Sequence, residues 1–311
     1  MSPPPRFDVL GIGVVAVDDL LYVDEYPRAD SKVQVRRRCR QCGGLTGTAL
    51  VAAARLGSRC AYAGMLGDDE LSRFVIDRFT QEGIDLNHRV RRSDAWPGYS
   101  TIIVEQRRKT RTIFSSIDGA VGADPSRPDA ELIRAAGALL VDHHGLEGTI
   151  RAATIARQSG VGVVADLERD PGPPFDRLLA LVDHLIISER FARELTVAED
   201  PAEAVVKLWS DDRQAVVVTC GASGCWYRGP EPDAVARHVP AFPVEAVDTT
   251  GCGDVFHGAY ASALASGRDL HGRIVIASAV AALKAIKPGG QAGCPTLREV
   301  NDFLAERGFS G

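Results

Sequence analysis

The chain is 311 residues long, 45% hydrophobic and 25% charged, with a formal net charge of −5. That length is ample for a sizeable core, and the composition is ordinary for a soluble protein; it offers no global basic field for nucleic acid, no apolar run of the roughly 18 residues that span a bilayer, and no signal-peptide core after the polar lead. Its seven cysteines are odd in number, and Cys39-x-x-Cys42 lacks the second pair of a zinc ribbon, so free thiols in a reducing cytosol are expected.

Residues 7–15 read as a buried strand, with Asp18 beyond its carboxyl end, where ligands gather in open α/β sheets. Residues 20–40 alternate irregularly around Pro27 and carry the basic run Arg36-Arg37-Arg38-Cys39-Arg40. Gly43-Gly44 opens a helix over 46–56, and backbone at a double glycine can approach a ligand closely. Gly64 to Asp69 links a strand to a helix beginning near Asp69, where acidic residues suit the first turn. Residues 99–104 and 111–114 read as a hairpin around Gln106-Arg107-Arg108-Lys109-Thr110. Residues 138–142 form another central strand with Asp142, His143 and His144 at its carboxyl end, and no third metal ligand stands near the histidines.

Residues 161–166 and 183–187 are two more buried strands. Residues 214–219 lead into Gly221-Ala222-Ser223-Gly224, after which Cys225-Trp226-Tyr227 returns antiparallel. An alanine-rich helix over 268–286 stops at Lys287-Pro288-Gly289-Gly290, and Thr296 caps a last helix. No repeat, low-complexity tract or interdomain linker divides the chain, so residues 1–311 are expected to form a single domain.

The stretch with the most chemistry is Asp248-Thr249-Thr250-Gly251-Cys252-Gly253-Asp254-Val255-Phe256-His257-Gly258-Ala259-Tyr260. It reads as a loop feeding a helix with the small and apolar residues Val255, Ala259, Ser262 and Ala263 on one face. Glycines let the backbone close on a ligand, and the exposed N–H groups of a first helical turn attract an anion. A lone aspartate there is usually a capping charge. Next to a phosphate, Asp254 has a sharper use as a general base that takes a proton from an attacking hydroxyl.

This string resembles the D-T-x-G-A-G-D motif of the ribokinase-like (PfkB) sugar kinases, with Cys252 in place of alanine. Gly13 and Asp18, Gly43-Gly44, Gly64 to Asp69, Thr219-x-Gly221-x-x-Gly224 and Lys287-Pro288-Gly289-Gly290-Gln291 stand in family order along nearly the whole chain. The run ending at Gly57, the Val-Phe-His-Gly after Asp254 and Pro-Gly-Gly-Gln-Ala-Gly are most similar to the ketohexokinase and sulfofructose kinase branch. The resemblance implies a three-layer α/β/α sandwich around a mostly parallel sheet, with a small projecting β-sheet lid built from segments about 17–42 and 97–115.

The resemblance also implies transfer of the γ-phosphoryl of ATP to a sugar hydroxyl. Asp254 is then the base, with the N–H groups of Gly251, Cys252 and Gly253 receiving the developing charge. Asp18, Gly43 and Gly44 meet the sugar, joined by Thr48, which stands where the family usually has asparagine, and by Asp142 and His144. His144 aligns with an arginine of the related kinases, so neither relative's ketose is assumed. Thr219, Gly221, Gly224 and Gly289 lie along the nucleotide. The carbonyls of Asp248 and Thr250 match positions that hold a monovalent cation such as K⁺.

The family's Asn-x-x-Glu is replaced by Ser188-x-x-Phe191, which leaves Mg²⁺ held largely by nucleotide phosphates and water. Arg111 suits a phosphate through its forked donors. The lid carries Lys32, Arg36, Arg37, Arg38, Arg40, Arg107, Arg108, Lys109 and Arg111. They read as a solvated face or as contacts for an anionic sugar, with Lys32 the favoured contact. A lid of this kind often pairs across a homodimer. A nucleoside kinase would want a more apolar pocket, and a non-catalytic scaffold would have lost Asp254.

Overall fold

The computed structural model describes residues 6–108, 110–231 and 235–309; Met1–Pro5 and Lys109 of the basic turn lie outside the described residues. In chain order the elements are β1 (Phe7–Ile12), β2 (Ala16–Val23), β3 (Arg37–Gly43), α1 (Leu45–Arg55), β4 (Cys60–Tyr62), β5 (Met65–Leu66), α2 (Glu70–Gln81), β6 (Val90–Arg91), β7 (Gly98–Glu105) and β8 (Thr110–Ser116). There follow α3 (Ala130–Arg134), β9 (Ala136–Asp142), α4 (Leu146–Gln158), β10 (Gly162–Asp166), α5 (Phe175–Leu181), β11 (His184–Ser188), α6 (Glu189–Thr196) and α7 (Pro201–Leu208). The chain ends with β12 (Ala215–Thr219), β13 (Cys225–Arg228), β14 (Arg237–Val239), α8 (Cys252–Ala265), α9 (Leu270–Ala285) and α10 (Leu297–Ala305).

The main sheet runs β14-β13-β12-β11-β10-β9-β1-β4. Every pairing from β4 to β12 is parallel, and β13 and β14 close one edge antiparallel. The sequence explains this: β9 to β12 are nearly unbroken Val, Leu, Ile and Ala, as strands buried on both faces must be. One apolar cluster joins the sheet to α1, α8 and α9, and another joins its opposite face to α4, α5 and α6. The result is the expected three-layer sandwich. Within the first of these layers α1 and α8 pack closely, since a Cβ on Gly258 would lie 2.0 Å from the Ala49 carbonyl oxygen. No helix among the described residues is long and apolar enough to cross a membrane.

A second sheet, β3-β2-β7-β8, stands apart from the first. Its β2–β7 pair is parallel and its outer pairs antiparallel. The irregular pattern of residues 20–40 has a physical source: β2 is buried at Val17, Leu20 and Val23, three residues apart, and β3 buries only Cys42, so neither strand has a buried face of strict period two. The register sets Asp18 beside Gln41 and Ser100, and Arg111 beside Val104. Strand alternation therefore puts Asp18, Leu20, Ser100, Ile102, Ile113 and Arg111 on one face.

Candidate active site

The Asp248–Tyr260 stretch folds as a turn into α8. Gly251 occupies the N-cap in the left-handed region at φ 77, and no side chain caps the helix. The Cys252 N–H donates to the Thr249 carbonyl at 3.2 Å, and no side chain competes for the remaining first-turn N–H groups that an incoming anion would meet. A Cβ at Gly253 would meet no atom within 4 Å, and the same holds at Gly290, so both glycines border open space. Thr48 of α1 packs its methyl 3.4 Å from a Cβ position on Gly251, which makes α1 the floor of this turn.

Asp254 belongs to a group of carboxylates at the carboxyl edge of the sheet. Burial, then the charges of Asp166 and Glu168, push its carboxyl well above the usual range. Asp166, at the end of β10, is likewise pushed up by burial and by Glu168 and Asp142. Its Oδ2 lacks a hydrogen-bond partner, although it lies 3.1 Å from Nδ1 of His257. His257 sits one turn after Asp254, with Nδ1 2.8 Å from the Gly253 carbonyl and Nε2 2.9 Å from that of Ile186. It ties the first turn of α8 to the strand end of β11.

On the other side of the turn, Asp18 is half-buried on β2. Desolvation pushes its carboxyl up, Ser100 opposing and Asp19 adding. Gly43 leaves it room: a Cβ there would stand 2.7 Å from Asp18 Oδ2. Gly44 adopts φ 86 with its α-carbon against Val14 and Val15 backbone, where a side chain would be both strained and blocked.

Asp142 behaves differently from the sugar contact expected of it. It is fully buried. Oδ2 accepts from Val14 N at 2.7 Å and Thr46 Oγ1 at 2.8 Å, while Oδ1 accepts from His144 N at 2.8 Å and faces His144 Nδ1 at 3.1 Å. With both oxygens taken, the carboxylate orients β1, α1 and His144. Gly13 makes this possible, since a Cβ there would strike Thr46 Oγ1 at 2.0 Å and Asp142 Oδ2 at 2.2 Å.

The loops expected to flank the nucleotide surround the same edge. Thr219 ends β12 with its hydroxyl on the Ile187 carbonyl at 3.4 Å. Gly221 has φ 56 and open space about it. Gly224 has a structural reason of its own: a Cβ would collide with the Val239 carbonyl oxygen at 2.1 Å. Gly289 donates its N–H to Asp248 Oδ2 at 2.8 Å, and Thr250 N donates to Asp248 Oδ1 at 2.9 Å. Asp248 thereby staples the main turn to the loop after α9.

Arg111 donates to the Thr250 hydroxyl and lies 3.8 Å from Asp248 Oδ1. Four other cations of the second sheet and its loops have ion-pair partners: Arg36 with Asp24, Arg40 with Asp19 and Glu70, Arg107 with Glu25, and Arg108 with Glu105. Arg37 lies over the Tyr22 ring. Lys32 is exposed between β2 and β3. All seven cysteines are free thiols.

Sequence reading missed Asp166, Glu168, His257 and Lys284. The first two form Asp-x-Glu at a strand's carboxyl end, the rule that drew attention to Asp18. Lys284 shows only as one cation inside an alanine-rich helix, and its burial is a tertiary fact. Among the described residues no three side chains converge as a metal cage.

Residues 8–297 match the model for the pfkB family carbohydrate kinases. The chain belongs to that family, and it is a phosphotransferase acting on a sugar hydroxyl. It is 28% identical to the ribokinase of Haemophilus influenzae over 308 residues, 94% of this chain and 97% of that one. Among solved structures, one from Agrobacterium tumefaciens, provisionally described as a ribokinase, is 29% identical, with a TM-score of 0.89 over 96% of this chain and 97% of its own. Arabidopsis thaliana ribokinase, solved with ribose and ATP, shares the fold at a TM-score of 0.83 and 21% identity, over 98% of this chain and 99% of that one.

Proposed function

We propose that the protein transfers the γ-phosphoryl of ATP to a hydroxyl of a small sugar, a ketose or an anionic sugar such as a sugar phosphate, sulfosugar or sugar acid. The observation that carries this is the uncapped first turn of α8 with Asp254 inside it, bordered by open space at Gly253. Asp254 accepts the proton of the attacking hydroxyl. Its half-buried carboxyl is a stronger base than an exposed one, for the reason that burial disfavours its charged form.

The N–H groups of Gly251, Cys252 and Gly253 receive the charge of the transferred group, reinforced by the helix dipole. Asp18 accepts two sugar hydroxyls, with Gly43 and Gly44 closing on the ring and Thr48 and His144 lining it. Asp142 orients His144 and the start of α1 rather than touching the sugar. Thr219, Gly221 and Gly289 border the nucleotide, a reading supported by structures of the same fold solved with ATP. Magnesium, brought on the nucleotide, neutralises phosphate charge and orients the transferred group. Arg111 reaches from the lid to the phosphate side.

Lys32 is the cation offered to an anionic group on the sugar. In this reading the four-stranded sheet is a lid within a single domain of the whole chain. Its exposed Ile113 and Phe114 make it the surface for a homodimer, and the free thiols suit a cytoplasmic location. The motifs ending at Gly57, at Val255–Gly258 and at Pro288–Gly293 support the ketohexokinase and sulfofructose kinase branch. The test is ADP release across neutral ketoses, sugar phosphates, sulfosugars and sugar acids, in the wild type and in Lys32→Ala. Activity on neutral fructose alone, indifferent to Lys32→Ala, would sink the anionic-sugar reading.

A further inference from the structure

The family resemblance assigns a monovalent cation to the carbonyls of Asp248 and Thr250. The surroundings of Asp248 do not fit one, because a cation of the chain itself is already there. Lys284 lies in the last turn of α9 and is fully buried, at 0% exposure. Its Nζ donates to the Asp248 carbonyl oxygen at 2.6 Å and stands 3.9 Å from Asp248 Oδ1. The stem of the side chain packs against Gly293, at the turn that presents the Gly289 and Lys287 carbonyls: a Cβ on Gly293 would meet these three groups at 3.3, 2.7 and 3.2 Å. On the solvent side, Arg111 brings a second fixed cation to 3.8 Å from the same carboxylate.

We propose that the Lys284 ammonium replaces the monovalent cation of this fold, so that the enzyme works without K⁺. This rests on the kinase reading above. A metal ion on the Asp248 carbonyl would face the ammonium already bound to that oxygen, and like charges this close and this buried repel strongly. The ammonium also does the ion's structural work. It holds the Asp248 carbonyl, and Asp248 in turn holds Thr250 N and Gly289 N. Lys284 is therefore a positioning residue for the anion-binding turn. Because the charge is tethered, it is present at any ion concentration, whereas a bound ion is present only in proportion to its supply.

The experiment compares wild type, Lys284→Ala and the shape-conserving Lys284→Met in buffers whose only monovalent cation is tetramethylammonium, with KCl added at constant ionic strength. Expected for the wild type is a kcat that K⁺ changes by less than about twofold, and a melting temperature that K⁺ leaves in place, since a ligand that does not bind the native state cannot stabilise it. Lys284→Ala should lose about tenfold or more in kcat, the scale of losing one fixed charge near the transferred group, and regain part of it with K⁺ or propylammonium. Lys284→Met keeps the packing, and should lose activity without regaining it. Calorimetric titration with K⁺ gives a readout independent of any sugar, so it tests the ion even if no tested sugar is phosphorylated. K⁺ binding to the wild type, K⁺ activation of tenfold or more, or full activity in Lys284→Met would each overturn the proposal.

Discussion

The guanidinium of Arg111, on the second sheet, donates to the hydroxyl of Thr250, 139 residues further along the chain. The contact ties β8 to the turn ahead of the proposed base. Arg111 is 45% exposed, so solvent screens it and its contribution to stability is small. Its contribution to function is expected to be large. Arg111→Ala should lower kcat/KM for ATP by about 10- to 100-fold, the range of one or two charge-assisted hydrogen bonds. Thermal unfolding of the variant should match wild type. A loss of stability with intact kinetics would contradict the assignment.

Asp254→Asn should reduce kcat by about 10²- to 10⁴-fold, the usual weight of a general base. Its pH behaviour gives a second check. The folded-state carboxyl is held above its ordinary value by burial and by Asp166 and Glu168. Ionising it therefore costs stability as pH rises from the ordinary carboxylate value through the folded one. At neutral pH the asparagine variant should be as stable as wild type or more so. In the wild type, the acid limb of kcat/KM should lie above the usual carboxylate range.

Gly43→Ala places a methyl where Asp18 Oδ2 stands 2.7 Å away. The carboxylate must shift, and a 1 Å error in a positioning group is costly. Initial-rate kinetics should show a raised sugar KM and an unchanged KM for ATP. An equal rise in both would place Asp18 away from the sugar.

Asp142→Ala removes four hydrogen bonds at once and leaves buried N–H groups of Val14 and His144 without acceptors. Each orphaned donor costs about 1–3 kcal/mol, so denaturant unfolding should show a loss of several kcal/mol or failure to fold. The gentler Asp142→Asn tests the pH dependence. Burial alone would raise this carboxyl, but the His144 hydrogen bond and the charges of His144 and His143 hold it below the usual range. Such a group contributes stability above its unfolded value and loses it as pH falls through the folded one. The wild type should weaken in acid over that window, and the asparagine variant should respond less.

Much of the fold was legible in the sequence because its central strands are short apolar runs with few competing readings. Residues 138–142, 161–166, 183–187 and 214–219 each became a strand of the main sheet, with ends within about two residues, as boundary readings usually allow. The hairpin at 99–114 was also legible, because Thr110 to Ser116 pairs where the turn residues said it would. The fate of Asp142 was not. A carboxylate at a strand end looks the same in sequence whether it faces a ligand or is sealed by Val14, Thr46 and His144. The basic run was only half legible: the pattern showed charge, but the partners Asp19, Asp24, Glu25, Glu70 and Glu105 come from register and packing. Lys284 lay beyond sequence reasoning, since nothing local says that a lysine in the last turn of α9 points inward.

The second sheet leaves the main body through very short connections. Only Gly13, Val14 and Val15 separate β1 from β2, and only Gly44 separates β3 from α1. These joints are also the residues beside Asp18 and Asp142. With the sugar at Asp18 as proposed, the sheet is a lever whose fulcrum lies at the sugar. From Gly98, which hydrogen-bonds Val15, to Val104 opposite Arg111 is roughly 20 Å of strand at about 3.3 Å per residue. A tilt of about 5° at the fulcrum would carry Arg111 through about 2 Å, enough to make or break its bond to Thr250. On the proposed site, mechanical gain of this kind would let occupancy of one pocket be felt at the other without any signal passing through the core.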